Sequence, residues 1–109
     1  MSVEISIQGE CMTARIRGDL DHHSCTQIRA QIDAHLERHT PSLLILDMEG
    51  VPFMDSSGIG LIMGRMRVQR SCGGNLALKN TNLYLTRIIT LAGLSSLIID
   101  KKHEEERVK

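Results

Sequence analysis

The sequence predicts an α/β fold: a mixed β-sheet of four to five strands, opened by a hairpin and accompanied by three to four helices. Three observations carry this reading. Residues 3–16 alternate apolar and polar with period two, interrupted once by Gly9-Glu10. Further along, strand-like runs alternate with stripes at helical spacing. One run, Leu43-Leu44-Ile45-Leu46, is apolar without alternation. Such a run marks a strand covered on both faces, which favours a parallel strand with helices above and below.

The elements follow in order. Val3, Ile5 and Ile7 form one face of a first strand, and Met12, Ala14 and Ile16 that of a second, with Gly9-Glu10 as the hairpin turn. Ser24-Cys25-Thr26-Gln27 fits a capping box, with Ser24 as N-cap and Gln27 at the third helical position. Cys25, Ile28, Ile32 and Leu36 then fall on one helical face, and Pro41 stops the helix. After the buried strand, residues 47–54 are a short loop. Ile59, Ile62, Met63 and Met66 make a second helical stripe, leaving Arg65, Arg67, Gln69 and Arg70 exposed. Gly73-Gly74 ends that unit, and Leu76-Ala77-Leu78 is a short strand. Leu85, Ile88, Ile89 and Ala92 make a third helical face, with Gly93-Leu94 as a left-handed C-terminal cap. Leu97-Ile98-Ile99 is a last strand, and residues 101–109 are a charged tail or short helix. Strands alternating with helices imply right-handed crossovers and a largely parallel sheet.

Composition narrows the function classes. The 109 residues carry 13 Lys+Arg against 13 Asp+Glu, so there is no basic surplus with which to displace counterions from nucleic acid. Phe53 and Tyr84 are the whole aromatic complement, too few for a base-stacking platform. Three cysteines without CxxC spacing suit a reducing compartment. MSVEISIQGE is not read as a signal peptide, and no apolar run reaches membrane-spanning length, so the expectation is a cytoplasmic protein with neither nucleic acid nor membrane as partner.

The unusual stretch is Met54-Asp55-Ser56-Ser57-Gly58-Ile59-Gly60, placed where a buried strand hands over to a helix. Loops past the carboxyl ends of parallel strands are where open α/β sheets put their sites. Asp55, Ser56 and Ser57 read either as helix caps alone or as a hydroxyl presented for modification. A phosphate here would meet free backbone N–H groups and the positive end of the helix. The glycine pattern of a nucleophile elbow is missing around both serines, and so is GxxxxGK[ST]. Asp19, Asp21, His22, His23 and Cys25 cluster, but without zinc spacing they read as a polar loop, and no metal or other cofactor is expected. Met54 is kept as a contact residue because its loop should be exposed.

Phe53-Met54-Asp55-Ser56-Ser57-Gly58-Ile59-Gly60 followed by Gly64-Arg65 resembles the phosphorylation loop of STAS-domain anti-sigma-factor antagonists. Gly18-Asp19-Leu20-Asp21-His22-His23 resembles the start of the first helix region in the sporulation branch of that family. The resemblance covers nearly the whole chain, so residues 1–109 are read as one STAS domain. It implies a non-enzymatic partner switch. The unphosphorylated antagonist binds an anti-sigma factor that is also a serine kinase and so frees a sporulation sigma factor. Phosphorylation of Ser56 by that kinase switches it off, and a serine phosphatase restores it. Asp21, Met54, Asp55, Ser57, Gly58 and Ile59 are the implied partner-binding residues. The alternatives are an antagonist in a general stress-response switch, a nucleotide-binding STAS domain, and a lipid-transport accessory protein.

Overall fold

The computed structural model describes residues 2–102. Strands β1 (Ser2–Gln8) and β2 (Cys11–Arg17) form the expected antiparallel hairpin, with Gln8 paired to Cys11 across a turn whose Gly9 has φ +62°. Helix α1 (His22–His39) ends where Thr40 turns left-handed and donates its N–H to the Leu36 carbonyl, one residue before Pro41. Strand β3 (Leu43–Gly50), helix α2 (Ser56–Ser71), strand β4 (Asn75–Thr81), helix α3 (Leu83–Leu91) and strand β5 (Ile98–Lys101) follow. A 3-10 turn over Ser95–Leu97 replaces the start of the expected last strand. At the end of α3, Gly93 has φ +82° and the Leu94 N–H returns to the Ile89 carbonyl at 3.0 Å, the predicted left-handed cap. Lys101 lies in β5, Lys102 follows it with its N–H on the Thr81 carbonyl at 2.9 Å, and residues 103–109 of the predicted tail fall outside the described residues.

The sheet order is β1-β2-β3-β4-β5, antiparallel only at its first pair. Because the order advances in one direction, three right-handed crossovers place all three helices on the same face. Burial agrees with that. Met12, Ala14 and Ile16 on β2, Leu44, Leu46 and Met48 on β3, and Leu76 and Leu78 on β4 are buried beneath the helices. Of the alternate residues, Arg15, Leu43, Ile45 and Lys79 are exposed or half-buried, while the small Ala77 between them is buried. The expectation of helices above and below β3 is therefore corrected. The run 43–46 is apolar, but its second face is open and bordered by an ion pair between Arg15 Nε and the buried Asp47 at 3.6 Å.

Helix α2 also differs from its sequence reading. Gly58, Leu61, Ile62, Arg65 and Gln69 form its buried stripe, while Ile59, Met63 and Met66 are only partly buried. Arg65 and Gln69, expected in solvent, are buried because α2 packs on α1 as well as on the sheet. The Gln69 amide donates to the carbonyls of Pro41 and Asn75 at 3.1 and 3.0 Å, tying the end of α2 to the connection before β3 and to the start of β4. Met12, Met48 and Met54 fill the core. Among the described residues no helix is long and apolar enough to cross a membrane.

Candidate functional site

The loops leaving β2 and β3 are stitched together. Gly18 N–H donates to Gly50 O at 2.9 Å, Leu20 N–H to Phe53 O at 3.0 Å, and Asp55 N–H to Leu20 O at 3.2 Å. Leu20 and Met54 form an isolated parallel bridge. The parallel register of β2 and β3 thus continues past the strands and sets the starts of α1 and α2 side by side.

Asp21, not Ser24, caps α1. Its Oδ1 accepts from the N–H groups of His23 and Ser24, each at 3.0 Å, and Ser24 Oγ accepts from Asp21 N–H at 3.1 Å. This is a capping box three residues upstream of the predicted one, and the helix accordingly starts at His22. Ser24 is buried in the first turn, where its hydroxyl also donates to the Asp19 carbonyl at 2.6 Å. The Ser24 N–H bond, chief among several, holds the Asp21 carboxyl below its usual range.

Asp55 caps α2, its Oδ1 accepting from Ser57 N–H at 2.8 Å. Ser56 is the first helical residue, exposed, and among the described residues no hydrogen bond engages its hydroxyl. Ser57 is half-buried and faces the groove between α1 and α2. The two serines, indistinguishable in the sequence, therefore differ in access.

Met54 corrects the reading of an exposed contact. Its side chain is fully buried, because the bridge to Leu20 aims it into the core. It fills the space above Gly58: a Cβ built there would stand 2.2 Å from Met54 Cγ and 2.7 Å from Sδ. Gly58 is buried and Ile59 partly buried, so both support the loop from beneath.

An aromatic pair beside the loop escaped the sequence reading. Phe53 and Tyr84 stack with centroids 5.8 Å apart and planes 15° from parallel, and they are 42% and 43% exposed. Tyr84 Oη–H donates to the Met54 carbonyl at 3.1 Å, bracing the Ser56 loop from the start of α3. The available signal was that the only two aromatics in the chain flank a loop and a helix start.

The STAS domain family matches residues 2–107, nearly the whole chain. The anti-sigma F factor antagonist of Lysinibacillus sphaericus is 38% identical over 96 residues, covering 88% of this chain and 82% of that protein. The chain belongs to the STAS-domain anti-sigma factor antagonists. Its fold matches the antagonist SpoIIAA in its unphosphorylated form with a TM-score of 0.81 at 32% identity, covering 96% of this chain and 92% of that one. It also matches the phosphorylated form of SpoIIAA, a Bacillus cell fate determinant, with a TM-score of 0.75 at 32% identity over 99% and 100% of the two chains.

In this antagonist the cap at Asp21 makes a stability prediction. Asp21→Asn keeps an N-cap side chain of nearly equal quality, so its melting temperature stays close to wild type. Asp21→Ala loses the cap and melts lower by about 4–8 °C. The folded carboxyl titrates below the unfolded one. Its contribution is therefore complete above the unfolded pKa and disappears as pH falls through the folded value. Denaturation midpoints measured from neutral pH into the acid range will fall less steeply in Asp21→Asn than in wild type. Parallel curves would contradict this.

Proposed function

We propose that the unphosphorylated chain binds an anti-sigma factor that is also a serine kinase, thereby releasing a sporulation sigma factor in the cytoplasm. Phosphorylation at Ser56 by that kinase ends the interaction, and a serine phosphatase reverses it. The chain is on this reading a regulator and a kinase substrate rather than an enzyme. The observation that carries the proposal is the exposed Ser56 hydroxyl, without a hydrogen bond among the described residues, at the first position of α2, whose start the Leu20–Met54 bridge sets beside that of α1. Backbone N–H groups at a helix start accommodate a phosphate within the chain. The added charge then acts on the partner by repulsion and desolvation. Asp21-His22-His23 supports the sporulation branch, as does the likeness to an anti-sigma F factor antagonist.

Asp21, Asp55 and Ser57 line the partner-facing rim, while Gly58, Ile59 and the buried Met54 hold its shape. Phe53 and Tyr84 extend the exposed surface beside the Ser56 loop, and exposed stacked aromatics are strong interface anchors. Phe53→Ala is expected to weaken binding of the anti-sigma factor by about tenfold or more while the chain stays folded. Titration calorimetry against the purified partner checks this, and an unchanged affinity removes the aromatic pair from the interface.

A further inference from the structure

Helices α1 and α2 enclose a groove of about 290 Å³ that begins at Ser57 and runs down past Gly60, Gly64, Arg29 and Arg65. Two independent features are unexplained by packing. Arg65 is only 7% exposed. Its Nε stands 3.0 Å from Asp33 Oδ1, but its Nη1 is buried with no hydrogen-bond partner among the described residues. Buried donors are normally satisfied, and a charged one left without an acceptor is unfavourable. Burial lowers the pKa of this guanidinium, Asp33 counteracts that, and Arg29 adds a second nearby positive charge. Arg29 itself forms no ion pair among the described residues.

The second feature is Gly60 and Gly64, one turn apart inside α2. Glycine is a poor interior helix residue. Gly58, two positions earlier, is required by Met54, whereas a Cβ at Gly60 or Gly64 would meet nothing within 4 Å. No neighbour demands these glycines. Their effect is to keep the groove open beside an arginine whose Nε is paired with Asp33 but whose Nη1 has no acceptor among the described residues.

We propose that the α1–α2 groove is a binding site for a phosphate-type oxyanion, with Arg65 and Arg29 as its cationic partners and Gly60 and Gly64 as its open floor. The planar guanidinium fork suits a phosphate oxygen pair, and the Ser57 hydroxyl offers a further donor at the rim. The carboxylates of Asp21 and Asp55 lie near the upper end, where with burial they raise the pKa of the Cys25 thiol. Both are engaged by helix N–H groups, so the anion sits at the arginine end. Among the described residues His22 is the one ring lining the groove, where α1 begins, so at the arginine end recognition is of charge rather than of a stacked base. The volume corresponds to roughly ten waters, room for a free phosphate ion or for a small phosphate monoester. The site does not depend on the partner switch.

The test is an amide NMR titration of the full chain with sodium phosphate, and separately with glycerol 3-phosphate, each against sodium chloride at matched ionic strength. Saturable shifts beyond those of chloride are expected at Ser57, Gly60, Gly64 and Arg65. Gly64→Leu, whose Cβ enters open space and whose side chain occupies the groove, and Arg29→Gln, which removes an exposed charge, should each weaken binding by about tenfold or more. Gly64→Leu should melt at or above the wild-type temperature, separating a blocked site from a damaged fold. Tighter binding of the monoester identifies a phosphorylated metabolite as the source, and equal binding identifies free phosphate; both support the site. Shifts no larger than those in chloride, or binding that survives both substitutions, overturn it.

Discussion

Replacing Gly58 with alanine is expected to lower the melting temperature by about 4–15 °C, although alanine is the better helix former. The added methyl would overlap Met54 Cγ and Sδ and press on Leu20 Cβ at 3.2 Å. Met54 and Leu20 are fully buried, so neither has free space to move into. Overpacking of this kind costs about 1–3 kcal/mol, and the gain in helix propensity returns at most about 1 kcal/mol. The displaced atoms belong to the bridge that aligns the two loops, so phosphate transfer to Ser56 should slow as well. Gly60→Ala is the internal control, since its methyl enters open space and the same propensity gain should stabilise the chain. If thermal unfolding shows both variants stabilised alike, Met54 does not pack as described.

Ser56→Ala should abolish phosphate incorporation and leave the antagonist permanently able to bind its anti-sigma factor. The fold should be unaffected. Asp55 supplies the cap of α2, and alanine is at least as good as serine at the first helical position. Ser56→Asp tests the charge directly. A carboxylate at a helix N-terminus is favourable to the chain by about 0.3–1 kcal/mol, so any loss of partner affinity arises across the interface. The expected pattern is normal melting in both variants, normal binding in the alanine variant and weakened binding in the aspartate variant. Equal affinity of the two argues against a switch worked by charge.

Much of the molecule was legible because local rules and tertiary packing agree. The hairpin, the stop at Pro41 and the cap at Gly93-Leu94 each depend on a few adjacent residues, and each stands as read. The departures occur where distant elements decide. Asp21 and Ser24 both satisfy N-cap chemistry, and the choice between them depends on how the chain leaves β2. Met54 lies in a loop by sequence, but its pairing with Leu20, far away in the chain, turns it inward. Periodicity weighs a residue by its polarity, so it placed Arg65 and Gln69 in solvent. A second helix against α2 buries them instead, with polar partners that no single helical wheel contains. The unbroken run at 43–46 suggested two covered faces, but the one-directional strand order leaves one of them open. At the site, the Asp-Ser-Ser-Gly stretch was visible as a motif. The aromatic brace was not, because Phe53 and Tyr84 meet only after β4 and α3 are in place.

Ser56 as the regulated hydroxyl can be tested directly. The chain should be incubated with the anti-sigma factor and ATP, and the phosphosite located by mass mapping while complex formation is followed on the same sample. One phosphate, on Ser56, is expected, with loss of the complex in step with its incorporation. Phosphate on Ser57 with Ser56 unmodified, or a complex that persists when Ser56 is fully phosphorylated, would contradict it.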